Sequence, residues 1–220
     1  MSYKSETIAA ILPRINTTYF LPAMQREFIW TEEQVCALFD SVMRRYPISS
    51  FLFWQVPTEA RDDVEAYEFL HSVNKSRNRA HLARLYGRRD ITFVLDGQQR
   101  LTALLVGLQG TYLGRKTKSG KGARTTAPKK LYLDLLHDGR VPDADDETET
   151  YYHFEFYEYT PTLLKKNSYW FEVRRILDEE FASDLEDHID YYKQVIRDVR
   201  GKLTSQEANI VEHNLTRLYD

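Results

Sequence analysis

A chain of 220 residues that is 42% hydrophobic and 13% aromatic can bury a core of its own, which excludes a disordered polypeptide. Its 30 basic and 33 acidic side chains leave a formal charge of -3, so bulk charge marks no partner and any charged surface has to be local. The single cysteine, Cys36, excludes an internal disulfide and a multi-cysteine zinc site; no leader pattern and no run of about 18 apolar residues is present, so a cytoplasmic protein without membrane association is expected.

Residues 6–12 have the pattern of a short helix stopped at Pro13, and TTYFLPAMQREFIW reads as an extended segment with Pro22 inside it. Thr31 opens a capping box with Gln34. Val35, Leu38, Phe39, Val42, Met43 and Tyr46 follow at three-or-four spacing on one apolar face, and Pro47 ends the helix. SSFLFWQV, residues 49–56, is expected as a buried strand because it is rich in aromatic and apolar residues. Residues 57–90 are charged throughout, first acidic and then basic, and are expected as surface helix and loop. DITFVL reads as a strand, followed by a helix from about Gln98 to Gln109 whose Leu101, Leu104, Leu105 and Leu108 face the core.

A loop rich in Gly, Lys, Thr and Arg, residues 114–130, precedes the strand KLYLDLL. It is not a P-loop: the spacing from Gly114 to Gly120 is one residue too long, and Lys121 is followed by Gly122. The acidic loop HDGRVPDADDETET comes next, then the alternating YYHFEFYEY, and helices near 172–200 and 204–218 are separated by Gly201. The sum is an α/β or α+β fold, a mixed sheet of about five to six strands with helices packed on it and a helical C-terminal appendage.

The stretch VLDGQQRLTALL carries the chemistry. A helix that follows a strand directly presents unpaired N–H groups and the positive end of its dipole, which together favour an anion. Gly97 lets a ligand approach the backbone, Arg100 adds a planar cationic fork suited to phosphate oxygens, and Gln98 and Gln99 donate and accept without adding charge. Asp96 would repel a phosphate unless a cation lay between them, which points to magnesium. The same residues also fit a plain helix start, with Asp96 as N-cap and the others solvated. Upstream, Gln25 and Arg26 form a second Gln-Arg pair just before the helix that Thr31 caps; read alone, they fit a solvent-facing pair on an edge strand that Pro22 keeps from being central.

LPAMQREFIW, followed by a helix and SSFLFWQV, and then FVLDGQQRLTALL, resembles the N-terminal domain of GmrSD- and SspE-type bacterial modification-dependent defence proteins, related in fold to the ParB and sulfiredoxin core. The likeness spans roughly residues 8–175. It implies two units: a nucleotide-binding domain over residues 1–175 and a helical extension over residues 176–220 leading into an effector. It also implies a magnesium-dependent NTPase that gates DNA cleavage by an HNH-type nuclease domain or subunit outside these residues. Asp96, Gln98, Gln99 and Arg100 would be catalytic, with Asp96 on the metal. Gln25, Arg26, Trp30, Gly97 and Arg100 would hold the nucleotide. The alternative is a ParB-like module that senses nucleotide or DNA without turnover. Modified or phage DNA is the expected macromolecular partner, and self-association stays open.

Arg77, Arg79, Lys116, Lys118, Lys121 and Arg124 are candidates for DNA phosphates, as are Lys129 and Lys130, against the simpler reading of solvated loops. Thr102 would face the nucleotide only in one orientation of its helix, and reads more simply as a helix-surface threonine.

Overall fold

The computed structural model describes residues 3–24, 27–74, 78–85, 90–115, 126–141, 150–161, 167–178, 181 and 183–220, leaving out the side chains of residues 62, 115 and 126. The fold is α+β. Helix α1 (Ile8–Ile11) ends ahead of Pro13 and runs into a 3-10 turn at Leu12–Arg14, which holds Pro13 in its first positions because a proline is tolerated where no helical N–H is needed. Then come β1 (Tyr19–Pro22), α2 (Glu32–Met43), β2 (Leu52–Gln55), a 3-10 turn at Thr58–Asp63, β3 (Ala66–Tyr67), β4 (Ser72–Asn74), β5 (Thr92–Asp96) and α3 (Gln98–Leu108). Strands β6 (Thr111–Arg115), β7 (Thr126–Asp134), β8 (Phe154–Tyr157) and β9 (Trp170–Glu172) follow, and helices α4 (Leu185–Arg200) and α5 (Ser205–Tyr219) close the chain.

The expectation of one sheet with five to six strands is corrected to two. The first has the order β2-β5-β1-β3, and the second has β4-β6-β7-β8 with β9 also on β7. The difference comes from residues 57–90: their charge hides β3 and β4, whose buried Ala66 and Val73 are flanked by Phe69 in the core. Strand β1 is interior, parallel to β5 and antiparallel to β3. Pro22 does not force it to the edge because it sits at the last strand position, where no further ladder bond is needed. Strand β2 is an edge, as is β3, and the expected buried strand is corrected accordingly: Leu52 and Trp54 are both exposed. An edge strand covered on one face only can carry aromatic residues without burying them.

Thr31 and Gln34 form the capping box at the start of α2, each side chain bonding the other's backbone. The helix ends at Met43, before Pro47, because Arg45 takes a left-handed φ of 58°. Tyr46 therefore leaves the core, and its ring lies 4.1 Å from the Arg44 guanidinium carbon. Buried Asp40 accepts from the backbone N–H groups of Tyr151 (3.0 Å) and Tyr152 (2.7 Å), tying α2 to the approach to β8.

Helix α3 is the centre of the molecule. Every residue from Leu101 to Leu108 is buried, more than the one leucine stripe required. Gly107 makes this packing close: a Cβ there would lie 2.4 Å from the Phe39 ring and 3.0 Å from Leu131. Helices α4 and α5 join the same apolar cluster through Ile189, Tyr192, Ile196, Val211 and Leu215. Fully buried Asn214 pins α5 to the end of β7, donating to the carbonyls of His137 (2.8 Å) and Leu135 (3.2 Å). Burial, then Glu32, Glu155 and Glu33, push the Cys36 thiol far up from its ordinary pKa, which disfavours the thiolate. Among the described residues, no helix is long and apolar enough to cross a membrane.

Candidate functional site

Strand β5 delivers Asp96 to the surface, and Gly97 turns the chain into α3 with a φ of 87°. That left-handed value is why glycine stands there. Gly97 occupies the N-cap, and among the described residues no side chain caps the start of α3. Asp96 therefore does not cap the helix. Its carboxylate is 71% exposed and lies 3.4 Å from one terminal nitrogen of Arg100, one turn further on. Arg100 is mostly buried: it donates to the Ile48 carbonyl, and its guanidinium carbon lies 5.0 Å from the centre of the Phe51 ring. The fork is thus held from three sides at the head of an uncapped helix.

The two glutamines have different tasks. Gln99 accepts from Ile29 N–H (3.1 Å) and donates to the Glu27 carbonyl (3.0 Å), bonding the main chain of a segment some 70 residues away as another backbone would. Gln98 donates to the Val94 carbonyl (2.9 Å), and its amide oxygen has no protein partner among the described residues. Gln99 thus ties the segment that leads out of the Gln25-Arg26 motif to the start of α3. Gln25 and Arg26 themselves lie outside the described residues.

Between the two segments lies a cavity of about 270 Å³. Its apolar lining is Leu21, Ala23, Phe28, Leu70 and Ala80 with the ring of Tyr67; its polar lining is Glu27, Asn78, Arg79, Gln98, Gln99 and Thr102. Thr102 is buried and faces this cavity, so the surface reading is corrected; its hydroxyl donates to the Gln98 carbonyl (2.8 Å). Asn78 spends its amide on the main chain of Asn74 and Phe28 and so fixes the wall. Asp96 and Arg100 do not line the cavity; they sit on the Phe51 side of the same turn. Trp30 packs against the main core, and its carbonyl accepts from Tyr112, a phenol whose pKa burial raises.

The basic candidates separate. Arg79 stands at the cavity, 3.4 Å from Glu27, with both side chains largely in solvent. Lys129 and Lys130 are engaged by Glu32 and Glu172, each at 2.8 Å. Arg77, Lys116, Lys118, Lys121 and Arg124 lie outside the described residues. The cavity residues Phe28, Tyr67, Leu70, Asn78 and Ala80 carry no sequence signal, because the stretch that holds most of them looks like solvated surface.

Gly97→Ala tests the turn locally. An added Cβ would lie 2.4 Å from the Phe51 ring on which Arg100 rests, and the left-handed φ adds strain. We expect a loss of about 1–3 kcal/mol in unfolding free energy, read by urea denaturation.

Residues 8–220 match the family described as GmrSD restriction endonuclease, N-terminal domain. The uncharacterized protein MJ0686 of Methanocaldococcus jannaschii is 26% identical over 161 residues, 73% of this chain and 25% of that relative, so the chain spans a quarter of the relative's length.

Proposed function

Since the chain belongs to the GmrSD restriction endonuclease N-terminal domain family, a component of restriction defence, we propose that it binds and hydrolyses a nucleoside triphosphate and so gates DNA cleavage by a nuclease. The observation that carries this reading is the pair of Gln99 bonds, which draws the segment after Gln25-Arg26 against the uncapped turn bearing Asp96 and Arg100. A polyanion meets there the open N–H groups of α3, the positive end of its dipole and a buttressed guanidinium.

Magnesium fits this chemistry through Asp96. Among the described residues, no group of three or more His, Cys, Asp or Glu could hold an ion. One exposed carboxylate, Asp96, beside a phosphate site suits an ion that keeps water and phosphate oxygens as most of its ligands. When bound, the ion would neutralise phosphate charge.

The chain's own residues do the rest. Arg100 stabilises charge on the phosphates, as does Arg26 if the ligand spans both motifs. Gln99, with both ends of its amide engaged on the main chain, is a positioning residue. Gln98 is the glutamine left to orient the attacking water, which releases nucleoside diphosphate and inorganic phosphate. Catalysis of this kind is mostly positioning and electrostatics.

The test is phosphate release by the purified chain with magnesium and each of ATP, GTP, CTP and UTP. Turnover abolished by a chelator is the expected result. Tight binding without turnover would instead establish a sensing module that uses the nucleotide as a switch.

A further inference from the structure

The phosphate assignment leaves the cavity beside α3 unused. A triphosphate is a solvated polyanion and does not leave water for a partly apolar lining whose cation, Arg79, is paired with Glu27. A purine or pyrimidine ring has the opposite character, being flat, weakly charged and prone to pack on aromatic faces, and Phe28 and Tyr67 both line the space. The volume of about 270 Å³ falls just under the range of about 300–1,000 Å³ typical of sites for drug-sized ligands, so it suits part of a nucleotide rather than the whole. The wall is also built rather than incidental: Asn78 fixes one side through three main-chain bonds and Gln99 fixes the other through two.

We propose that this cavity is the nucleoside pocket of the chain. The ring packs against Phe28 and Tyr67, buried Thr102 closes the α3 side, and the phosphates leave past Gln98 and Gln99 to the start of α3. The pocket rests on the nucleotide reading of that turn but is separable from it, because inorganic triphosphate has the phosphates and lacks the ring.

The test uses Ala80, a part-buried wall residue whose enlargement fills the cavity without removing a core atom. Calorimetric titration with magnesium compares the parent with Ala80→Phe against ATP, GTP, CTP, UTP and inorganic triphosphate. The parent should bind its preferred nucleotide at least tenfold more tightly than triphosphate. Ala80→Phe should weaken nucleotide binding tenfold or more and leave triphosphate binding unchanged, which also reports that the variant is folded. Nucleotide affinity unaltered in Ala80→Phe, or nucleotide and triphosphate weakened alike, overturns the pocket. A parent that binds triphosphate as tightly as every nucleotide overturns it too. A parent that binds neither removes the phosphate reading first and the pocket with it.

Discussion

Asp96→Ala should lower nucleotide turnover about a hundredfold and leave the melting temperature where it was, whereas Arg100→Ala should lower turnover about a thousandfold and also destabilise the fold. The asymmetry follows from burial. The Asp96 carboxylate is 71% exposed and its ion pair with Arg100, at 3.4 Å, is of a kind that contributes little in water, so its removal costs mainly what it does for the ligand. Arg100 is 18% exposed and supplies a donor to the Ile48 carbonyl and a cation over Phe51. Deleting it leaves that carbonyl short of a partner, which costs about 1–3 kcal/mol. Arg100→Lys separates the two roles, since an ammonium keeps the charge but cannot form the planar fork. It should recover stability more fully than turnover. Steady-state phosphate release with thermal denaturation on the same samples reads both, and equal turnover in parent and Asp96→Ala would remove Asp96 from the site.

Gly107→Val should cost about 3 kcal/mol or more of stability. The Cβ alone would lie 2.4 Å from the Phe39 ring, and that ring cannot swing away because it is buried and packed against Phe154 at 5.7 Å. Leu131 closes the other side at 3.0 Å. Overpacking of this kind typically costs about 1–3 kcal/mol, and the two further methyl groups of valine meet the same walls. For a chain of this size such a loss lowers the melting temperature by roughly 6–12 °C. Gly201→Ala is the comparison: its φ of 75° imposes strain, yet nothing lies within 4 Å of the new methyl, so about 1 kcal/mol is expected. Equal losses at the two glycines would mean that α2 and α3 are not packed through Gly107.

The contrast between these glycines also indicates what a sequence can carry. The turn at Gly97 is legible because a strand pattern stops and a helix pattern starts around it, and the capping box of α2 is legible because Thr31 and Gln34 are three apart. Both are local signals. The packing of Gly107 on Phe39, the burial of Thr102 and the Gln99 bonds to Glu27 and Ile29 depend on residues dozens of positions away. Aromatic content misled at β2, since it reports strand propensity and not whether a neighbour covers the strand. Charge misled over residues 57–90, where a few inward residues, Ala66, Phe69 and Val73, are enough to place short strands in the core between solvated ones.

The central claim is that a triphosphate docks at the uncapped start of α3, next to the segment that Gln99 holds. Hydrogen exchange read by mass spectrometry, with and without a non-hydrolysable nucleotide and magnesium, addresses it directly. Slowed exchange is expected in peptides covering residues 96–102 and 23–30, with little change in α4 and α5. Slowed exchange confined to other parts of the chain, at nucleotide concentrations that saturate binding, would contradict it.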